Sequence, residues 1–139
     1  MGNYQELIFY QKARQVVKAV DGLIKSWPKT IQAQEISRQL FRSAASIGAN
    51  IAEGHGRHQG TEYIHYLIIA QGSANETERW LHTAQDCGIG SSEKIDKIMS
   101  LNNEVVRMIT STINTIRAKQ GTKRIQENQA DYLTDTDHS

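Results

Sequence analysis

Residues 46–57 read SIGANIAEGHGR, and the interpretation of this stretch decides the fold of the chain. It begins as a helix, with Ile47 and Ile51 one turn apart, but small residues surround both isoleucines and glycines flank His55. A catalytic loop, a phosphate-binding loop and a close contact between two helices would each produce such a pattern. The rest of the sequence has to distinguish these three possibilities.

The composition is that of one helical domain. A chain of 139 residues can bury a core on its own, and 38% hydrophobic residues with a single proline, Pro28, favour helices over a sheet protein rich in turns. The sequence has neither a run of about 18 apolar residues that would span a bilayer nor the layout of a signal peptide. We therefore expect a cytoplasmic protein without membrane contact. The single cysteine, Cys87, excludes an intramolecular disulfide, and we interpret it as a packing residue rather than a nucleophile.

Positive and negative charges are unevenly distributed along the chain. Residues 1–124 hold all sixteen Lys and Arg against eleven Asp and Glu, which gives this part a net charge of +5. Residues 125–139 hold four acids and no Lys or Arg, which gives −4. The basic body is compatible with nucleic-acid binding, although an overall net charge of +1 is far from strongly basic. The acidic end has few aliphatic residues, so we expect it to be disordered and flexible.

Apolar residues recur at helical spacing in four segments. The predicted helices run from the capping box Asn3-Tyr4-Gln5-Glu6 to Trp27, from Thr30 to about Glu53, from Gly60 to Cys87, and from Ser91-Ser92 onward. Gly54 is expected to end the second helix in a left-handed conformation. The predicted core consists of Phe9, Ala13, Val16, Val20, Leu23, Ile24 and Trp27; Ile36, Leu40, Ser43, Ala44, Ile47 and Ile51; Tyr63, Tyr66, Leu67, Ala70, Ala74, Thr77, Leu81 and Ala84; and Ile95, Ile98, Val105, Ile109, Thr112, Ile113 and Ile116, with Trp80 at its edge.

Short connections between helices of matched length predict an all-α, antiparallel up-down-up-down four-helix bundle. Each helix would span about 35 Å at a rise of about 1.5 Å per residue. The predicted bundle covers residues 1–120, and a flexible acidic tail covers residues 121–139.

The second and third helices carry apolar residues on a second face, away from the predicted core. A monomer would leave that surface in water, so we predict an oligomer interface and take a second copy of the chain as its partner. The predicted interface residues are Phe41, Ala45, Gly48, Ala49, Ala52, Ile64, Ile68, Ile69 and Gly72. The alternative is an error in the helical phase, in which case one wide core face takes up all of these residues.

Polar residues at the junction of the second and third helices are candidates for a chemical site. We favour a structural polar network that fixes helix register, formed by Asn50, Glu53, Arg57, Ser73 and Glu76. Acid–base catalysis by Glu53 and Glu76 would need a nucleophile or second base with a definite role. The histidines at 55, 58 and 65 lack zinc-like spacing, and Gly-His-Gly-Arg lacks the lysine of a phosphate loop, although it offers an anion some N–H groups. We predict no catalytic residue, metal or cofactor.

At these same residues the sequence resembles the bacterial four-helix bundle family whose founding members are encoded in intervening sequences of the large-subunit ribosomal RNA gene. The resemblance covers roughly residues 4–118 and lies in paired blocks at fixed spacing. These are Ser46-Ile47, Asn50-Ile51-Ala52-Glu53-Gly54, Gly56-Arg57, Ala70-Gln71-Gly72-Ser73 and Glu76, with Trp27-Pro28, Gln39 and Arg42-Ser43-Ala44 upstream. Gly48 stands where the family often has proline, and His55 where an aromatic residue is common.

The resemblance implies a noncatalytic bundle that assembles into a ring, commonly a homopentamer. Related accessory proteins of diversity-generating retroelements are basic pentamers that bind nucleic acid and a reverse transcriptase. The expected function is therefore a nonenzymatic homo-oligomer that binds structured RNA or a nucleoprotein partner such as a reverse transcriptase. The candidate nucleic-acid contacts are Lys12, Arg14, Lys18, Lys25, Lys29, Arg38, Arg42 and Arg57. The alternatives are a protein-interaction scaffold without nucleic-acid contact and, third, an enzyme acting through Glu53, His55 and Arg57.

Overall fold

The computed structural model describes residues 7–57 and 60–137, without the side chains of Arg57 and of residues 134–137. This part of the chain forms four helices and no strand. The helices are α1 (Ile8–Lys25), α2 (Ile31–Arg57), α3 (Gly60–Asp86) and α4 (Ser92–Asp137). In the described residues, α1 and α3 each pack against both α2 and α4, as neighbours around a bundle. The predicted antiparallel four-helix bundle is confirmed.

The starts of α2 and α4 follow from capping residues. The Thr30 hydroxyl accepts a hydrogen bond from the Ala33 N–H at 3.2 Å, and the Ser91 hydroxyl accepts one from the Lys94 N–H at 3.3 Å. Each hydroxyl satisfies one of the backbone donors that a helix start leaves unpaired. The capping box predicted over residues 3–6 lies outside the described residues, and α1 begins at Ile8 after an extended Leu7.

Nearly all of the predicted core is buried. Leu40, Ile47, Ile51, Leu67 and Leu81 have no exposed surface, and the partly exposed members of the predicted set are Ile24, Tyr63, Tyr66, Trp80, Thr112 and Ile116. The core also holds Asn102, which the apolar pattern did not predict. Its side-chain N–H donates to the Ala74 carbonyl oxygen at 2.8 Å and so links α4 to α3.

Gly54 does not end α2, as the sequence predicted. The helix continues through Arg57, and Gly54 is not among the described glycines with positive φ. A Cβ at Gly54 would lie 2.7 Å from Tyr66 Cβ and 3.0 Å from Tyr63 Cδ2. The glycine is therefore required by the close approach of α3 rather than by a turn.

The C-terminal part of α4 extends beyond the bundle. We call residues 117–137 the α4 extension. Its side chains from 121 to 133 are all exposed, and the segment predicted as an irregular, flexible tail is helical as far as Asp137. No proline interrupts this segment, and Gly121 is not among the positive-φ glycines. Residues with good helix propensity therefore continue the helix already nucleated by the bundle.

Candidate oligomer and nucleic-acid interfaces

A ladder of hydroxyl groups joins α2 to α3 within the bundle. Thr77 Oγ1 donates to Ser43 Oγ at 2.9 Å, and Ser73 Oγ donates to Ser46 Oγ at 2.9 Å. Asn50 Nδ2 donates to the carbonyl oxygen of Ser46 at 2.8 Å and lies 3.0 Å from its hydroxyl. The Thr77–Ser43 and Ser73–Ser46 pairs join α3 to α2 through small side chains, so they fix the register of two closely packed helices.

The predicted polar network is only partly assembled by this ladder. Asn50 and Ser73 meet at Ser46, a residue that the prediction did not include. Glu76 instead accepts a hydrogen bond from Trp80 Nε1 on its own helix at 3.4 Å, and Glu53 is exposed. The Arg57 side chain lies outside the described part of the chain. Ser46 was recognisable as a small residue next to Ile47, but its partner depends on how α3 lies against α2.

His55 lies in the last turns of α2 and not in a loop. It is only 5% exposed, and its ring stands edge-on to Tyr63 at 5.9 Å between centroids. His55 is therefore a packing residue at the α2–α3 junction. Within the described ranges 7–57 and 60–137, no group of three His, Cys, Asp or Glu side chains is placed to hold a metal ion.

An apolar strip runs along the outward face of α2. Phe41 is 42% exposed, Ala45 and Ala49 are exposed, and Ala52 is half-buried. Beside this strip, a groove between α1 and α2 is lined by Tyr10, Ala13, Arg14, Val17, Ala45, Gly48 and Ala49. The groove has a mostly apolar floor and one cationic side chain at its edge.

Gly48 belongs to the α1–α2 contact rather than to the outer surface. A Cβ there would lie 3.5 Å from Tyr10 Cε2 and 3.8 Å from Ala13 Cβ, both on α1. The residue is buried, so its predicted place on an exposed interface is corrected. The reason is that α1 packs over the side of α2 on which Gly48 lies.

A second apolar patch lies on the outer side of α3. Ile68 is 45% exposed and Ile69 is 38% exposed, with the exposed Gly72 next to them. Ile64, predicted as an interface residue, is instead 8% exposed and belongs to the core. It lies seven residues before Gln71, which donates to Thr110 of α4 at 2.7 Å, so Ile64 is on the side of α3 that faces α4.

Two of the candidate nucleic-acid contacts form ion pairs within α1 or between helices. Lys12 pairs with Glu104 of α4 at 2.8 Å, and Lys25 pairs with Asp21 at 2.8 Å. Arg14 donates to Gln11 at 3.4 Å. The Lys12 ammonium therefore ties α1 to α4, and its availability to a ligand is reduced.

Other candidate cations are exposed on α1, on α2 and in the connection between them. Lys18, Lys29, Arg38 and Arg42 are exposed, and Arg38 lies 3.8 Å from Glu35. Arg38 and Arg42 are one turn apart and share the outward face of α2 with the apolar strip. The structure thus places a basic pair at one end of an apolar surface.

Within the described part of the chain, no helix combines the length and apolar character needed to cross a membrane. The lone thiol of Cys87, just after α3, is exposed and not part of the packing that the sequence predicted for it.

The bundle has recognisable relatives. A protein of unknown function from the S23 ribosomal protein family of Bacteroides thetaiotaomicron has a similar crystal structure, with 29% sequence identity and a TM-score of 0.65 over 76% of this chain and 98% of that chain. No curated protein matches the chain. Residues 5–111 match the family model described as 23S rRNA-intervening sequence protein, which confirms the resemblance inferred from the sequence. The chain therefore belongs to the 23S rRNA-intervening sequence protein family.

Proposed function

We propose that this protein is a nonenzymatic, cytoplasmic scaffold that assembles into a homo-oligomeric ring and binds structured RNA or a nucleoprotein partner, such as a reverse transcriptase. The observation that carries the proposal is the outward face of α2, where Arg38 and Arg42 adjoin an exposed apolar strip. The apolar part suits a contact between copies, and the basic part suits a phosphate backbone. Membership of the 23S rRNA-intervening sequence protein family supports an RNA-associated role.

The ring follows from two apolar surfaces on different helices. Ile68 and Ile69 project from α3, whereas the exposed strip with Phe41, Ala45 and Ala49 runs along α2, beside the groove between α1 and α2. Contact between unlike surfaces of identical chains is heterologous, and such contacts close into a ring when the rotation between copies allows it. Five copies is the number that the family resemblance implies.

Ring formation gives the modest charge of each copy a larger effect. Residues 1–124 carry a net charge of +5, and a closed ring repeats this charge around one axis. The summed field attracts a polyanion more strongly than a single copy does, and each neutralised phosphate releases condensed counterions. Binding should therefore weaken steeply with added salt.

The test measures fluorescence anisotropy of a labelled structured RNA with the full-length protein between about 50 and 200 mM salt. We expect affinity to fall by tenfold or more over this range, and the double variant Arg38→Glu/Arg42→Glu to bind at least tenfold more weakly at low salt. The double variant Lys94→Glu/Lys97→Glu is the matched control, because it makes the same change of charge at two exposed positions of α4. Absent or salt-independent binding, or an equal loss in both variants, would refute the RNA-binding proposal.

A protein-interaction scaffold without nucleic-acid contact is the second candidate. It is favoured by the local pairing of several basic residues, including Lys12 with Glu104 and Lys25 with Asp21, which lowers the free positive charge on α1. Under this candidate, RNA binding is absent in the anisotropy experiment and a defined protein partner is retained after nuclease treatment. Loss of the partner on nuclease treatment would instead favour RNA binding.

A further inference from the structure

The α4 extension lies beyond the part of the chain that matches the family model. The family match ends at residue 111, and the last fully or partly buried aliphatic residues of α4 are Ile113 and Ile116. From 121 to 133 every side chain is exposed. Any role of the α4 extension therefore depends on its own exposed side chains, which do not contribute to the core of the bundle.

The extension carries an apolar strip. Ile125 is 59% exposed, Tyr132 is 70% exposed and Leu133 is 63% exposed. Tyr132 and Leu133 follow Ile125 by seven and eight positions, so all three lie toward one face, and with Asn128 and Gln129 they line a shallow surface. At 100° per residue this face is roughly opposite to the core-facing side of α4. The bundle of the same copy consequently cannot cover it.

Charge is segregated along the extension. Its first part carries four basic residues and no acid, and its second part carries four acids and no Lys or Arg. The basic block consists of Arg117, Lys119, Lys123 and Arg124, and the acidic block of Glu127, Asp131, Asp135 and Asp137. The centres of the two blocks are about 12 residues apart, which is about 18 Å along a helix.

We propose that the α4 extensions of two copies of this chain pair in antiparallel orientation, with their apolar strips in contact. Antiparallel pairing sets the basic block of each copy beside the acidic block of the other, at both ends of the contact. Parallel pairing would set like charges side by side. The contact is isologous, so it joins two bundles, or two rings, about a twofold axis.

The expected register places Ile125 opposite the partner's Tyr132, which centres the pairing between residues 128 and 129. The two copies of Gln129 are then offset from each other by about one residue, so each lies about half a residue from the twofold axis. Thr122 lies on the same face, seven residues before Gln129. In this register the two copies of Thr122 are offset from each other by about 13 residues, or about 20 Å along the helix. The proposal concerns residues outside the surfaces assigned to the ring, so it stands independently of that assembly.

Cysteine cross-linking in the full-length chain tests orientation and register together. The background is Cys87→Ser, which removes the exposed native thiol. Under mild oxidation we expect Gln129→Cys to form a disulfide-linked dimer and Thr122→Cys, its matched control, to remain unlinked. Equal cross-linking of both variants would indicate parallel pairing, and cross-linking of neither would indicate no pairing. Either result overturns the proposal.

Light scattering of full-length variants provides a second measurement. Ile125→Asp should halve the mass in solution, whereas Ala130→Asp, which adds the same charge away from the strip, should leave it unchanged. Far-UV circular dichroism at equal concentration establishes that both variants retain their helices. Ile68→Asp, directed at the ring, should leave a dimer held by the extensions. A wild-type mass equal to that of Ile125→Asp would refute the pairing whatever the state of the ring.

Discussion

At the scale of single residues, the α2–α3 contact depends on small side chains that let two helices approach closely. Gly54 leaves room for Tyr66, and Ser43 and Thr77 pair through hydroxyl groups across the contact. Both hydroxyl groups are buried with their partners, so the contact gains specificity without leaving these polar atoms unpaired. Larger side chains at such positions would force the helices apart.

Replacement of Gly54 tests the close approach directly. In Gly54→Ala the new methyl group meets Tyr66 at a distance that requires movement of α3, so we expect a loss of about 1–3 kcal/mol in the free energy of unfolding. Gly22→Ala is the control, because a Cβ at Gly22 meets nothing within 4 Å. It should gain about 0.5–1 kcal/mol from helix propensity. Urea unfolding measures both variants, and a stability of Gly54→Ala equal to that of Gly22→Ala would contradict this account.

The stability of the folded protein should depend on pH in the alkaline range because of Tyr63, which packs against His55. Burial raises the pKa of the Tyr63 phenol above its ordinary value of about 10. As the pH rises, the Tyr63 phenol therefore loses its proton in the unfolded chain before it does so in the folded protein. The resulting contribution to stability is complete below pH 10 and is lost as the pH rises through the folded-state pKa. Between pH 9 and 11, Tyr63→Phe should lose less stability than the wild type. Thermal melts across this range test it, with the exposed Tyr132→Phe as control; parallel pH profiles for wild type and Tyr63→Phe would disprove it.

At the scale of elements, the α3–α4 connection is held by hydrogen bonds and by the end of α1. The Gly88 N–H donates to the Gln85 carbonyl oxygen at 3.0 Å, and the Ile89 N–H donates to that of Ala84 at 2.9 Å. This pattern closes a helix end with a glycine at positive φ, here +67° at Gly88. Ile89 is buried beside it, so the turn is anchored in the core.

Gly90, at the end of this turn, has φ of +77° and lies against the indole of Trp27, two residues after the end of α1. A Cβ there would clash with Nε1 and lie 2.9 Å from Cδ1, so Gly90→Ala combines backbone strain with displacement of Trp27. Gly88→Ala, with open space at Cβ, has the strain alone and should cost about 1–2 kcal/mol. We expect Gly90→Ala to have the lower melting temperature of the two. Tryptophan fluorescence and thermal unfolding measure both effects, and equal melting temperatures would exclude a role for the Trp27 contact.

At the scale of the whole molecule, the bundle leaves apolar surface on two different sides. The outer patch of α3 and the apolar strip of α2 lie on different helices, and Ile68, Ile69, Phe41, Ala45 and Ala49 are all exposed rather than part of the core. Under the proposed assembly each copy uses both surfaces, one toward each neighbour. A contact of this kind is lost when either surface becomes charged.

Ile68→Asp tests the ring at its α3 surface. Because Ile68 is 45% exposed, we expect the variant to fold but to lose the ring contact, with a fall in mass measured by light scattering coupled to gel filtration. Ile64→Asp is the contrasting variant. Ile64 is 8% exposed, so an aspartate there should unfold the bundle or lower its stability by several kcal/mol. An Ile68→Asp protein with the wild-type mass would rule out this face as an interface between copies.

The sequence by itself determined four helices, their core residues and the family, because apolar periodicity reports directly which side of a helix is buried. Only the tertiary structure decided which helix contacts the residues at the edges of each apolar face. Gly54 allows the close approach of α3 and does not cap α2, Gly48 faces α1, and Ile64 faces α4. Each of these roles depends on which helix packs against that side and how closely it approaches. The partners of Ser46 were undetermined for the same reason. A helical period gives the direction of a side chain, whereas its neighbour is set by the packing of the whole bundle.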